Sequence, residues 1–208
     1  IDDLGLDALG VALDEHGMPD VDPTTLQVGD LPVFLAGDAN GELQLLHEAA
    51  DDGHIAGRNS LAEQPVRYRR RTPLAIVFSE PGLARVGRGF AELESDEAAV
   101  GGVDFSRQGR VRMAERAEGM ARIYADKATG KLLGAEMCAP AAEHMAHLLA
   151  LAIERELTVH DMLAMPFYHP VLEEGLRTAL RDVARQLTAL EDVSDLAHCP
   201  EMGIDALE

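Results

Sequence analysis

Cysteine is scarce in this chain: Cys138 and Cys199 are the only two among 208 residues, and they form no CxxC or other close pair. That excludes a disulfide scaffold and a cysteine-rich zinc site, and it makes a reducing cytoplasm the default compartment. Positive charge is thin as well. The 18 Lys and Arg stand against 37 Asp and Glu, a formal net charge of -19. Such a surface repels nucleic-acid phosphates and anionic membranes, so neither is expected as a partner. No stretch approaches the roughly 20 apolar residues of a membrane span. The start, Ile1-Asp2-Asp3, has neither a Met nor a basic-then-apolar leader, and is expected to be a cut boundary rather than a processed signal peptide. His-Glu-x-x-His is missing too. Glu143-His144-x-x-His147 puts two imidazoles on one helix, and His47 and His54 stand elsewhere, but no metal site is expected from them.

What is present is a chain with 47% hydrophobic residues, enough to bury a substantial core in one domain or two small ones. Residues 33–36 are a short continuous apolar run, as in a strand buried on both faces, and they end at Gly37-Asp38. Helical periodicity follows over 43–58, with Leu45, Leu46, Ala49, Ala50, Ile55 and Ala56 as the inward positions. Strand, Gly-Asp, loop and helix is an order that holds a polar ligand at the carboxyl end of a strand. The carboxylate can accept hydrogen bonds from hydroxyls, and a helix start offers N–H groups to an anionic or carbonyl oxygen. An Asp in this position is equally a plain helix cap.

Arg67-Tyr68-Arg69-Arg70-Arg71 is the one basic run, read as a connector paired with acidic neighbours rather than as a phosphate site. Strands are expected over 74–79 and 83–87, a short helix over 90–95 and a strand over 100–106. The clearest hairpin joins 119–125 to 131–139. In it Ala121, Ile123 and Ala125 alternate on one strand, and Leu133, Ala135, Met137 and Ala139 on the other. Cys138 falls on that second strand and reads as a small buried hydrophobe. An amphipathic helix over 141–154, a short helix capped by Thr158 and a last helix from Pro170 complete the pattern. Strands grouped first and helices later indicate an α+β unit with an antiparallel sheet.

The last helix carries the most pointed chemistry. Pro170 suits a first helical position, since its missing N–H has no intrahelical partner there. His169 then stands at the helix mouth, with Glu173 and Glu174 in the early turns. A carboxylate beside an imidazole fixes its tautomer and can make it a general base. The plainer alternative is a helix cap whose glutamates pair with Arg177 and Arg181, and spacing alone favours that alternative.

Three stretches change the weighing. The run from Val33-Phe34-Leu35-Ala36-Gly37-Asp38 to Leu45-Leu46-His47-Glu48-Ala49-Ala50-Asp51-Asp52-Gly53 resembles the second FAD fingerprint of the pyridine nucleotide-disulfide oxidoreductases. That family includes dihydrolipoamide dehydrogenase, glutathione reductase and mercuric reductase. Phe78-Ser79-Glu80-Pro81-Gly82-Leu83-Ala84-Arg85-Val86-Gly87 is similar to the opening of its interface, or dimerisation, domain, with Gly82 where the family usually has Glu. His169-Pro170-x-x-x-Glu174 matches its His-Pro-x-x-x-Glu signature.

The resemblance implies that 1–66 is the C-terminal segment of an FAD-binding domain, a strand–helix remnant of an α/β fold. Residues 72–187 would be the dimerisation domain and 188–208 a tail. Gly37 and Asp38 would then meet the ribityl chain of FAD, and backbone from Gln44, Leu45, Leu46 and His47 the pyrimidine end of the flavin. His169, oriented by Glu174, would be the catalytic base, reaching across a homodimer to a thiol that exchanges with a dithiol or disulfide substrate. Apolar helix stripes and the sheet would bury the two-fold interface. Electrons would pass between a cysteine pair, FAD and NAD or NADP. Neither Gly-x-Gly-x-x-Gly after a strand nor a redox Cys-x4-Cys occurs in this sequence. The chain therefore reads as part of a longer flavoprotein, inactive by itself; a dimerisation module without its own chemistry is the alternative.

Overall fold

A computed structural model describes residues 5–94 and 96–188; the expectations for the tail and Cys199 lie outside them. The chain divides into two compact units, Ile1–Arg71 and Thr72–Glu208.

In the first unit the chain folds back on itself through isolated antiparallel bridges, Leu13 with Pro19, Val21 with Val28 and Gln27 with Phe34. The Asp22 carboxylate accepts the Thr24 N–H at 2.7 Å, turning the chain before Leu26 and Val28 enter the core. The expected strand over 33–36 is not one: only Phe34 is bridged, and Val33, Phe34 and Ala36 are half-buried. A continuous buried strand needs neighbours on both sides, whereas here residues 26–28 make two backbone hydrogen bonds to 33–35 around one bridge. After a 3-10 turn, Gly37–Asn40, helix α1 spans Leu46–Asn59.

The inward face of α1 also differs from expectation. Leu46 is 89% exposed, whereas Glu48, Asp52, Ile55 and Asn59 are buried. Their spacing is one helical stripe, but three of the four are polar. A hydrophobicity count therefore finds Ile55 but misses the polar residues of this face and adds Leu46 and Ala50, which are exposed. Each buried polar group is matched. Asn59 donates from its amide to the Thr25 and Val66 carbonyls and accepts the Val66 N–H. Glu48 and Asp52 meet Arg70 at 2.9 and 2.5 Å. The pairing of the basic run with acids extends to Arg71 with Asp51 and Arg67 with Asp22.

The second unit is an antiparallel five-stranded sheet with helices, an α+β fold. Its strands are β1 Leu74–Val77, β2 Gly82–Gly87, β3 Ala98–Asp104, β4 Met120–Asp126 and β5 Leu132–Ala139, in the order β1-β2-β5-β4-β3. The short helix expected near 90–95 is a 3-10 turn, Phe90–Glu92. A second 3-10 turn, Phe105–Arg107, leads into the short α2, Gly109–Met113. The remaining helices are α3 Ala142–Glu154, α4 Val159–Ala164 and α5 Glu174–Ala184.

Alternation does most of the sorting. Ala84, Val86, Ala99, Ala121, Ile123, Ala125, Ala135, Met137 and Ala139 turn to the core, where α3 and α5 pack on the sheet. Many of these are alanines, and Gly101 of β3 sits beneath α5. Small residues let the helix backbone come close. Leu133 does not follow the alternation: Tyr124 pairs with Gly134 and Ala125 with Leu132, a bulge that skips it. Leu132 is buried in its place, because one extra residue reverses the facing of its neighbours along the strand. Cys138 is half-buried rather than enclosed, paired with Leu83 and Met120 in a row that faces away from the helices.

The helix stripes face the unit's own core. Met145, Leu149 and Ala152 of α3 and Leu176, Leu180 and Val183 of α5 are buried against the sheet. They are spent within the fold, which corrects their assignment to a two-fold interface.

Candidate active site: the His169–Glu174 pair and the Gly37–Asn40 turn

The segment that carries His169 starts at a well-capped helix. Thr158 Oγ1 accepts the Asp161 N–H at 3.1 Å, and the Asp161 carboxylate accepts the Thr158 N–H at 2.8 Å, which starts α4 at Val159. The chain then runs extended through Met165 and Pro166. Phe167 lies under the Arg177 guanidinium, 5.5 Å from ring centre to charge. The next two residues, Tyr168 and His169, are exposed.

Helix α5 begins at Glu174, not at Pro170. Ahead of it, the Val171 N–H is taken by Glu174 Oε2 at 3.1 Å. Gly175 in turn bonds back to the Leu172 carbonyl, closing a turn over 172–175 that leads into the helix. The His169–Pro170 peptide is cis. Glu174 Oε1 lies 2.9 Å from His169 Nδ1. A carboxylate can only accept, so Nδ1 carries a proton, and in the neutral ring Nε2 then keeps its lone pair. The His169 side chain is 78% exposed and that of Glu174 26%. The bond to His169, aided by the Val171 N–H and by Arg177 nearby, holds the Glu174 carboxyl below its ordinary range. Glu174 thus staples the turn with one oxygen and orients an outward imidazole with the other.

The expected flavin residues lie in the first unit. Gly37 has φ +67°, and an added Cβ would come within 3.1 Å of the Ala49 Cβ, so the turn fits glycine. Its N–H donates to Asp52 Oδ2 at 3.0 Å, and the Asn40 amide donates to the same oxygen at 2.6 Å. Asp52 is further held by Arg70. Burial opposes that cation's charge, but its bonds to Asp52 and Glu48 outweigh the cost and push its pKa up. Asp38 sits on this turn with an exposed side chain. Gln44 is exposed, and Leu45, the N-cap of α1, makes no side-chain hydrogen bond to the N–H groups of the first turn, which begins at Leu46 and His47. An exposed carboxylate on a fixed turn and an uncapped helix start suit the hydroxyls and the carbonyl edge of a flavin nucleotide. The His47 ring lies 3.8 Å from Glu48 and takes no other role here.

Asp52, Asn40 and Arg70 support this turn and were not singled out from sequence. Their signal was present in the acids at 48 and 52, one helical turn apart, with a basic run downstream. His144 and His147 engage Glu143, at 3.7 Å from its carboxylate and 2.6 Å from its carbonyl oxygen. Among the described residues no three His, Cys, Asp or Glu side chains gather as a metal site would require. No helix among them is long and apolar enough to cross a membrane.

Residues 74–180 match the family described as pyridine nucleotide-disulphide oxidoreductase, dimerisation domain. Dihydrolipoyl dehydrogenase 2 of Haloarcula marismortui is 31% identical over 180 residues, which is 86% of this chain and 38% of that protein. An NAD(P)H dehydrogenase (quinone) of Mycobacterium tuberculosis is 29% identical over 194 residues, 91% of this chain and 38% of that one. The crystal structure of LpdA from Mycobacterium tuberculosis superposes with a TM-score of 0.72 at 27% identity, covering 86% of this chain and 39% of its own. The chain thus spans about two-fifths of the length of these relatives. With its five-stranded sheet and its match over 74–180, the chain belongs to the pyridine nucleotide-disulphide oxidoreductases and carries their dimerisation domain.

Proposed function

We propose that this chain is the C-terminal part of an FAD-dependent dithiol/disulfide oxidoreductase of the dihydrolipoamide dehydrogenase kind. In this reading 1–66 closes an FAD-binding domain, and His169 with Glu174 forms the general base delivered to a partner subunit in a homodimer. One observation carries it: a 2.9 Å carboxylate–imidazole contact on a ring that is 78% exposed. A structural histidine is normally satisfied within its own fold, whereas this one is oriented by its own chain and turned outward.

The geometry supports the following roles. Glu174, ionised and fixed to the turn, keeps the proton on Nδ1 and stabilises the imidazolium once it forms. Nε2 takes the proton of a substrate-facing thiol, and the resulting thiolate is the species that exchanges with a disulfide. Asp38 receives ribityl hydroxyls, and the first-turn N–H groups near Gln44 to His47 receive the pyrimidine edge of the flavin. FAD, when bound, supplies the two-electron step to NAD or NADP, whose domain and cysteine pair would be encoded upstream. A reducing cytoplasm suits such thiol chemistry.

Sequencing the coding region before Ile1 tests the reading. A dinucleotide fingerprint followed by Cys-x4-Cys is expected there, and a different domain would overturn it. The purified 208-residue chain should show neither flavin absorbance nor dithiol–NAD turnover, since most of the cofactor's contacts lie outside it.

A further inference from the structure

The His169–Glu174 pair is held by more than its own helix. Phe105, fully buried just after β3, packs against Gly175: a Cβ there would be 2.6 Å from Cε1 and 2.8 Å from Cζ of its ring. Three residues on, Gln108 turns its side chain in two directions. Its Oε1 accepts the Arg110 N–H at 3.2 Å, capping α2, and its Nε2 donates to the Val171 carbonyl at 3.3 Å. Val171 is the residue whose N–H meets Glu174 Oε2. Gln108 thus grips the far side of the peptide unit that follows Val171, and Phe105 limits how α5 can sit behind Glu174.

We propose that Gln108 is a positioning residue for the proposed base, acting through Val171 and Glu174 on the tautomer of His169. The inference rests on the proposed base role of His169 and Glu174. Glu174 must split its two oxygens between Val171 and His169, so the orientation of the Val171 segment decides whether Oε1 reaches Nδ1. A turn released from Gln108 swings the Val171 N–H, and the carboxylate follows it away from the ring. An exposed imidazole freed from its carboxylate then distributes its proton over both nitrogens according to water alone.

The test is long-range 1H–15N NMR of the histidine rings on the 208-residue chain above neutral pH, with the His169 signals identified by their loss in His169→Ala. Wild type should show two widely split ring-nitrogen resonances, as a single tautomer protonated at Nδ1 does. Gln108→Ala should draw the two resonances together. Gln108→Glu keeps the shape and the cap acceptor but loses the donor, and should do the same. Gln108→Lys keeps a donor and should retain most of the splitting. Dispersed amide signals in each variant establish that the fold is intact. If wild type is split and every Gln108 variant equally so, Gln108 does not position the pair. If Gln108→Lys behaves like Gln108→Ala, the donor is not what matters and the proposal falls. If wild-type His169 already behaves as a free imidazole and Glu174→Gln changes nothing, the base reading itself fails, and this inference with it.

Discussion

At the scale of residues, Glu174 concentrates the chemistry and makes it measurable. Its carboxyl is held below the ordinary value of 4.5, chiefly by the hydrogen bond to His169. A carboxylate with a depressed folded pKa contributes stability that is fully present above the unfolded value and is lost as pH falls through the lower folded one. The Val171 amide, bonded to the same carboxylate, should therefore report a transition centred below pH 4.5. A transition centred at or above that pH contradicts the arrangement, and Glu174→Gln should abolish the step. Two other polar centres stay silent in that range. The Tyr124 phenol, pushed up by burial and by its bond to Glu136, does not ionise in ordinary buffers. Arg70 stays charged while it clasps Glu48 and Asp52.

At the scale of elements, the closeness of helix to sheet is set by missing side chains. An alanine Cβ at Gly101 would lie 2.2 Å from the Ala179 carbonyl oxygen and 2.6 Å from Val183 Cγ2, so α5 must lift from β3 to admit it. Gly101→Ala should cost about 1–3 kcal/mol, as overpacking of a filled core does. Urea unfolding followed by circular dichroism measures it, and an unchanged midpoint would mean that α5 is not seated as described. Elements also show where periodicity could be read and where it could not. The strand and helix stripes of the second unit were legible because apolar residues recur there at spacing 2 and 3.6. The bulge at Tyr124 was not legible, since a skipped residue leaves no mark in composition. The inward face of α1 was misread because Glu48, Asp52 and Asn59 are buried as partners of Arg70 and of backbone groups. Burial of a charge depends on a distant counter-charge, and a local window cannot see it.

At the scale of the whole molecule, charge and family membership bear on one measurement. The dimerisation domain implies self-association in this family, while a net charge of -19 on each copy opposes it. Light scattering over a concentration series should find twice the 22.4 kDa chain mass at high concentration. Added salt should favour the dimer, because it screens repulsion between like-charged copies. A monomer throughout, at every salt concentration, would count against the homodimer.

The sequence by itself determined the order of the five strands and of α3, α4 and α5 in the second unit, the adjacency of His169 and Glu174 along the chain, and the Gly-Asp turn ahead of α1; it did not show α2. Each of these is local: a period, a spacing, a residue type suited to a turn. Only the tertiary structure decided that α5 starts four residues after Pro170, that Leu132 replaces Leu133 in the core, and that an acid stripe of α1 lies buried under an arginine. Those outcomes turn on hydrogen bonds and ion pairs between residues far apart or across a turn, whose energies exist only once the chain has brought the partners together.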